Sequence, residues 1–158
     1  MKIKNCCFTG HRQIKNTDII RLRLIETIRV FINEYGTTDF FAGGALGWDM
    51  LCEETILELK KEYSFIRLHI VLPCPEEEQT SKWSEKEKAR YKSIIMRADS
   101  VECVSEGYYE GCMKKRNERL TEQTEGCICY YNEKKPFSGT GQTVRMAIQR
   151  NMKIVNIY

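Results

Sequence analysis

The segment Cys127-Ile128-Cys129-Tyr130-Tyr131 is apolar at every position and follows Gly126. A strand with one exposed face alternates polar and apolar side chains, whereas a strand covered on both faces is apolar throughout. The segment therefore predicts an inner strand of a parallel sheet. Because each face of such a strand must be covered, we expect helices on both sides of the sheet.

Further short segments of strand composition alternate with longer segments of helical periodicity. The predicted strands cover residues 3–9, 39–42, 66–72, 100–104, 126–131 and 153–157. Alternation of strands and helices is the pattern of βα units around a parallel sheet. The sequence thus predicts one α/β domain over residues 1–158, with a mainly parallel sheet of about six strands.

The predicted helices cover residues 18–35, 48–62, 85–97 and 113–123, and a last helix begins near Gly141. In the first helix one stripe is apolar, and it consists of Ile20, Leu24, Ile28, Phe31 and Tyr35. Gly36 follows as a helix stop. Ser84 with Glu87 three residues later predicts a capping box at the start of the third helix.

The composition argues against nucleic-acid-binding, membrane and secreted proteins. The chain has 158 residues, with 25 Lys and Arg against 22 Asp and Glu, and charges of both signs are interspersed. Such mixing argues against the broad basic surface of a nucleic-acid-binding protein. No segment approaches the roughly 18 apolar residues of a membrane span. The first strand runs into polar residues before a secretory signal could form, so we expect a cytoplasmic protein without membrane contact.

Eight cysteines occur, mainly inside apolar segments, and none forms a Cys-x-x-Cys pair. Without an export signal, this placement predicts reduced, buried thiols rather than a disulfide framework. His11 and His69 are the only histidines that could complete a metal site. We therefore expect no bound metal.

Three Gly-rich turns follow predicted strands, and the first is Thr9-Gly10-His11-Arg12. Gly10 permits close approach of the backbone to a ligand. Thr9, His11 and Arg12 carry hydrogen-bond donors for an anionic or ribose-like group. The same residues are equally compatible with a tight turn that exposes an arginine.

The second turn, Gly43-Gly44-Ala45-Leu46-Gly47, leads directly into a predicted helix. Backbone amides at the N-terminus of a helix bind phosphate, with the helix dipole behind them. The spacing matches neither the dinucleotide fingerprint nor a Walker loop. Asp49 lies in the first turn of this helix, where it either favours the dipole or accepts a ribose hydroxyl.

The third turn, Ser138-Gly139-Thr140-Gly141, opens the last helix and repeats the same anion-binding geometry. Thr140 or Thr143 is also a plain candidate for the N-cap of this helix, which is compatible with phosphate binding. In parallel sheets, ligands bind at the carboxyl ends of the strands. We therefore expect the three turns to form the walls of one site.

Two more segments contribute candidate ligand contacts. Pro73 begins an acidic stretch through Gln79 and Trp83 that is long enough to cover a ligand as a lid. Trp83 either stacks on a base or, as the preferred interpretation, packs in the core before an amphipathic helix. Arg116 and Asn117 reach the same edge of the sheet or lie on a solvated helix face.

With these residues in view, the chain resembles the SLOG superfamily of SMF/DprA and LOG-related proteins, and specifically its YpsA-like branch. The resemblance covers nearly the whole chain and rests on an ordered series of motifs: 7–12, 43–49, Pro73, Gln79, Trp83, Tyr91, Ala98-Asp99, Met113, Arg116-Asn117 and 139–144. It implies a Rossmann-like fold. It also implies binding of nucleotides or of nucleotide-derived signals related to NAD or ADP-ribose.

Two departures from the family patterns bear on activity. The LOG branch, which hydrolyses nucleoside monophosphates, carries an acidic residue two or three positions after the Gly-Thr of its phosphate loop. Gln142 and Thr143 occupy these positions here. A glycosidic hydrolase needs a carboxylate at the reacting sugar, so the 139–143 loop lacks the expected catalytic group. Ser138 replaces the first Gly of the branch pattern Gly-Gly-Thr-Gly, and its side chain restricts how closely the backbone can approach a ligand.

These observations favour a binding module that senses or sequesters a nucleotide-derived small molecule, related to NAD, ADP-ribose or a cyclic nucleotide. The alternative is a nucleotide or ADP-ribose-type hydrolase that uses Asp49 or a carboxylate of residues 76–78, with His11 as the proton donor. Single-stranded DNA binding requires a basic groove with exposed aromatic rings, which the mixed charges disfavour. We expect a bound nucleotide-like ligand, no other cofactor, and association into a homodimer or higher homo-oligomer.

Overall fold

The apolar segments form one six-stranded sheet in the computed structural model, which describes residues 1–158. The strands are β1 (Asn5–Gly10), β2 (Asp39–Ala42), β3 (Arg67–Leu72), β4 (Ser100–Cys103), β5 (Gly126–Tyr130) and β6 (Lys153–Asn156). Their order is β4-β3-β2-β1-β5-β6, and every neighbouring pair is parallel. The predicted parallel α/β sheet is confirmed.

Helices connect the strands and cover both faces of the sheet. They are α1 (Thr17–Tyr35), α2 (Trp48–Leu59), α3 (Glu76–Gln79), α4 (Glu85–Arg97), α5 (Cys112–Glu122) and α6 (Gly139–Gln149). On one face, Cys6 and Phe8 of β1 share a buried cluster with side chains of α1, α2 and α4. On the other face, Cys7 of β1 packs with Leu120 of α5 and Val144 of α6. The prediction of helices on both sides is confirmed.

Two helix ends lie at the capping residues that the sequence predicts. Ser84 Oγ accepts a hydrogen bond from the Glu87 amide at 3.1 Å, and Glu87 Oε1 accepts from the Ser84 amide at 2.9 Å. This is the predicted capping box. Gly36 ends α1 in the left-handed conformation, with a φ of 73°, which glycine adopts without steric cost.

The predicted boundaries differ from the structure mainly at element ends. The strand β2 has the predicted bounds, and each of the other strands is one residue shorter than predicted. The strand β1 begins two residues later and ends one residue later than predicted, because Ile3 is buried beside the sheet without pairing as strand. The helix α2 ends at Leu59 and not at 62, where a turn takes over. The helix α6 begins at Gly139 and not near Gly141, because Ser138 caps it.

One helix was missed. The acidic stretch predicted as a flexible lid contains the short helix α3, which starts after Pro75 with acidic side chains in its first turn. Proline before the first turn and carboxylates within it both favour a helix N-terminus. Elsewhere, all eight cysteines are free, and Cys103 is the exposed one among them. No helix combines the length and hydrophobicity that crossing a bilayer requires.

The capping box gives a direct test of the helix assignment. Replacing Ser84 by Ala removes the acceptor for the Glu87 amide, and we expect a loss of about 1 kcal/mol in the free energy of unfolding. Urea denaturation measures it. Ser93→Ala is the matched control, because Ser93 is exposed in the middle of α4 and its hydroxyl caps nothing. Equal effects of the two substitutions would contradict the cap.

Candidate functional site

The strand order creates a crevice at the carboxyl edge of the sheet. From β1 the chain proceeds to β2, β3 and β4 on one side, and then returns to β5 on the other side of β1. The connections that leave β1 and β5 therefore diverge. In open α/β sheets, ligands bind at such a switch point. A cleft of about 380 Å³ opens here.

The cleft collects residues from all three Gly-rich turns and from α5. The predicted site residues that line it are Thr9, Gly10, His11, Arg12, Asp49, Arg116, Asn117, Ser138, Gly139 and Thr140. They lie far apart in the sequence and meet only because their strands end at one edge. The expectation that the turns converge on one place thus agrees with the geometry.

The other lining residues are apolar: Ala45 belongs to the second predicted turn, whereas Phe8, Met113 and Leu120 were not predicted as ligand contacts. Met113 and Leu120 stand on α5 at helical spacing from Arg116 and Asn117, so these four side chains share one face of the helix. This spacing is visible in the sequence and could have identified Met113 and Leu120 as neighbours of Arg116 and Asn117. The resulting wall combines an apolar surface with a guanidinium and an amide.

Arg116 is the central polar group of this wall, and only 6% of its surface is exposed. Its Nε donates to Asn117 Oδ1 at 2.9 Å, and Nη1 donates to the Gly43 carbonyl oxygen. Asn117 Nδ2 in turn donates to Gln142 Oε1 on α6 at 3.3 Å. These bonds tie α5 to the turn after β2 and to the last helix.

No carboxylate pairs with this guanidinium. Among the chain's ion pairs, none within 4.0 Å includes Arg116 or Arg12. Burial lowers the pKa of Arg116, partly offset by the more distant charges of Asp49 and Glu53. An arginine remains protonated in proteins nonetheless. The guanidinium therefore makes no direct ion pair, although the buried carboxylates of Asp49 and Glu53 lie near it.

Two acidic side chains of α2 bind the backbone of the second turn. Asp49 Oδ2 accepts from the Ala45 amide at 3.2 Å, and Glu53 Oε2 accepts from the Gly44 amide at 3.0 Å. Burial raises the pKa of Asp49 and raises that of Glu53 well above its usual value. Asp49 reaches the cleft, whereas Glu53 holds the turn from behind.

The first turn places an imidazole and a second arginine in the cleft. His11 Nε2 accepts from the Asn132 amide at 2.9 Å, which puts the proton of a neutral ring on Nδ1. Burial, assisted by the charge of Lys135, lowers the pKa of His11. Arg12 is exposed beside it. At neutral pH the turn thus offers a neutral imidazole and an exposed guanidinium.

The third turn is a capped helix N-terminus. Ser138 Oγ accepts from the Gly141 amide at 3.0 Å, so Ser138 is the N-cap and the alternative of Thr140 or Thr143 is wrong. Thr143 Oγ1 instead donates to the Gly139 carbonyl at 3.1 Å, within the helix. The amides of Gly139 and Thr140 precede the capped amide and are available to an anion.

Most of the predicted glycines contact protein rather than open space. A Cβ at Gly10 would overlap the Trp48 ring, one at Gly43 would overlap the Arg116 guanidinium, and one at Gly141 would overlap the Pro136 backbone. Gly44 has a φ of 71° and lies against Leu72. Gly139 is the exception, because a Cβ at this position would have no neighbouring atom within 4 Å.

The remaining predicted contacts lie outside the cleft. Gly43 and Gly44 contribute backbone groups to Arg116 and Glu53, and Gly141 and Thr143 belong to the interior of α6. Trp83 packs edge-to-face on Tyr91, with 5.2 Å between ring centres, which agrees with the preferred core interpretation. Pro73 and Gln79 flank the buried Cys74 and do not line the cleft.

A doubly wound parallel sheet with a polar cleft at its switch point defines a Rossmann-like α/β domain. Residues 6–157 match the YspA SLOG family (YpsA), and the chain belongs to this family. The predicted resemblance to the YpsA-like branch is confirmed.

Curated relatives carry the name UPF0398 protein. That of Shouchella clausii is 36% identical over 114 residues, which cover 70% of this chain and 59% of the relative. That of Halalkalibacterium halodurans is 32% identical over 107 residues, which cover 66% and 56%. The chain therefore spans somewhat more than half the length of these relatives.

A solved structure has the same fold. It is DNA processing protein A from Helicobacter pylori, whose description concerns a single-stranded DNA binding mode of that protein. The TM-score is 0.66 at 17% sequence identity, and the match covers 95% of this chain and 63% of the other. At this identity the similarity establishes the Rossmann-like architecture.

Gly10 and Gly139 both line the cleft, but replacing them should affect the free energy of unfolding differently. Gly10→Ala forces a methyl group into Trp48, and we expect a loss of about 1–3 kcal/mol in the free energy of unfolding. Gly139→Ala meets open space, so its stability should change by less than about 0.5 kcal/mol or improve, because alanine favours helix. Denaturant titration measures both. A loss for Gly139→Ala as large as that for Gly10→Ala would contradict this assignment.

Proposed function

We propose that the cleft binds a phosphate-bearing, nucleotide-derived small molecule, related to NAD, ADP-ribose or a cyclic nucleotide, and that the protein senses or sequesters it. The observation that carries this proposal is the buried guanidinium of Arg116, which lines the cleft and has no ion-pair partner. A buried charge without a partner costs free energy. An anionic ligand in the cleft would supply a direct ion-pair partner, in addition to the nearby carboxylates of Asp49 and Glu53.

The surroundings of Arg116 favour phosphate as that anion. The amides of Gly139 and Thr140 stand at the positive end of the α6 dipole, in the same cleft. Arg12 contributes a second guanidinium, and arginine binds phosphate through paired hydrogen bonds. Three independent donor groups, from the turn after β1, from α5 and from α6, therefore converge on one volume.

The rest of the cleft suits the remainder of a nucleotide. A volume of about 380 Å³ lies in the range of small-molecule sites, roughly 300–1,000 Å³. Ala45 and Met113, which are partly exposed, give an apolar surface for a sugar or base, and Asp49 offers an acceptor for a ribose hydroxyl. The cleft thus combines the contacts that a nucleotide needs.

Asp49 also supports the second candidate, a hydrolase of nucleotide or ADP-ribose type. Its carboxyl lines the cleft, and burial raises its pKa, as in the general acids of glycosidases. Against this role, its Oδ2 is engaged by the Ala45 amide. Prolonged incubation with ADP-ribose or AMP, followed by chromatography, decides between the two. A free base or ribose phosphate that is absent with Asp49→Asn would favour the enzyme over the binding module.

Single-stranded DNA is the third ligand class to be tested, because the structural neighbour from H. pylori is described as binding it. The cleft is small and local, and the charges on the surface are mixed. We therefore expect no mobility shift with a single-stranded oligonucleotide, even at low salt where electrostatic binding is strongest. A salt-sensitive shift that requires Arg12 would assign the cleft to nucleic acid.

Removal of Arg12 tests the small-molecule proposal without disturbing the core. Loss of a charge-assisted hydrogen bond, worth about 1.5–3 kcal/mol, should weaken binding roughly tenfold to a hundredfold in Arg12→Ala. Calorimetry against NAD, ADP-ribose, cyclic ADP-ribose isomers and cyclic dinucleotides measures it. Arg21→Ala is the matched control, because Arg21 is equally exposed on α1 and lines no cleft. No heat of binding with any of these compounds would refute the proposal.

A further inference from the structure

A second cleft, of about 430 Å³, lies at the opposite edge of the sheet. Its lining includes the first residues of four strands, Asn5, Asp39, Arg67 and Ser100, and so marks the amino-terminal edge. It shares no lining residue with the first cleft. The two clefts can therefore be tested by separate substitutions.

The strand register brings three reactive side chains together there. His69 of β3 pairs with Ser100 of β4, and Asp39 of β2 lies diagonally across from His69. Ser100 Oγ is 2.6 Å from His69 Nδ1, and His69 Nε2 is 2.7 Å from Asp39 Oδ1. A hydroxyl, an imidazole and a carboxylate thus form a continuous hydrogen-bonded chain.

The exposure of these groups decreases along the chain. Ser100 is exposed, 18% of the His69 side chain is exposed, and only 8% of Asp39 is. This order places the hydroxyl where a substrate reaches it and the carboxylate where solvent does not. In a nucleophilic triad the nucleophile hydrogen-bonds to a base, and a third group orients that base.

Other contacts fix the base and the carboxylate. Arg67 binds Asp39 through two hydrogen bonds of 2.9 and 3.2 Å, and Thr38 Oγ1 donates to Asp39 at 2.6 Å. Burial raises the pKa of Asp39, but these bonds and the one to His69 outweigh it and lower the pKa to about 2, so Asp39 is ionised at neutral pH. The Phe41 ring stacks on His69 with 4.6 Å between ring centres. An ionised Asp39 keeps the imidazole proton on Nε2 and leaves Nδ1 as the acceptor.

We propose that Ser100, His69 and Asp39 form a nucleophilic triad that cleaves small carboxylic esters. Ser100 Oγ adds to the ester carbonyl carbon while its proton passes to His69 Nδ1. The tetrahedral intermediate expels the alcohol, which takes that proton, and leaves an acyl group on Ser100. Water then adds to the acyl carbon through the same base, releasing the acid and restoring the serine.

The competing explanation is that the same hydrogen bonds merely tie β2, β3 and β4 together. A fluorophosphonate probe separates the two, because it modifies a serine rapidly only when a base activates it. In that reaction an Oγ–P bond forms, the P–F bond breaks, fluoride leaves, and the serine proton passes to His69. Intact-mass and peptide mass spectrometry locate the phosphonyl group.

We expect one phosphonyl group on Ser100 of the whole chain. Ser100→Ala should prevent labelling, and Ser64→Ala, which changes an exposed serine outside both clefts, should label as the wild type. Without its base, His69→Gln should label at least about 100-fold more slowly. His69→Phe, which keeps a ring against Phe41, should be slowed equally, and thermal melting verifies that both variants are folded.

The proposal is overturned by three results. They are no labelling of the wild type, labelling of Ser100 no faster than of Ser64, and an unchanged labelling rate in a folded His69 variant. None of these outcomes bears on the first cleft. Nucleotide binding measured by calorimetry on the same Ser100→Ala protein should equal that of the wild type.

Discussion

The hydrogen bond from Arg116 to the Gly43 carbonyl organises the carboxyl edge of the sheet. It joins α5 to the turn between β2 and α2, and it requires glycine at 43 because any Cβ there would occupy the space of the guanidinium. Asn117 extends the connection to α6 through Gln142. The walls of the cleft are therefore held together by the hydrogen bonds of a buried guanidinium that makes no direct ion pair.

The fold was predictable because the strands are buried on both faces and the helices carry clear stop and start signals. An apolar run such as residues 127–131 needs no knowledge of its partners to be identified. Strand ends were less predictable, since burial and strand pairing are different properties, as Ile3 demonstrates. The helix α3 was missed because its acidic residues were interpreted as part of a flexible lid, although carboxylates directly after Pro75 favour a helix N-terminus.

The site was predictable in location and less so in detail. The rule that strand ends converge placed the three turns together, yet it does not specify which glycines face a ligand. Gly10 and Gly43 face Trp48 and Arg116, and only tertiary packing reveals this. The cluster of Ser100, His69 and Asp39 could not be recognised in the sequence. The two hydrogen-bonded pairs are 31 and 30 residues apart, and only the strand register aligns them.

Arg116 is central to the proposed function because its buried guanidinium lines the cleft and has no direct ion-pair partner. The most direct measurement is the thermal midpoint of unfolding as pyrophosphate is added, for the wild type and for Arg116→Met. A ligand that binds only the folded state raises the midpoint with its concentration. We expect a rise for the wild type and none for the variant, measured from its own baseline. No rise in the wild type, or an equal rise in both proteins, would contradict the role of Arg116.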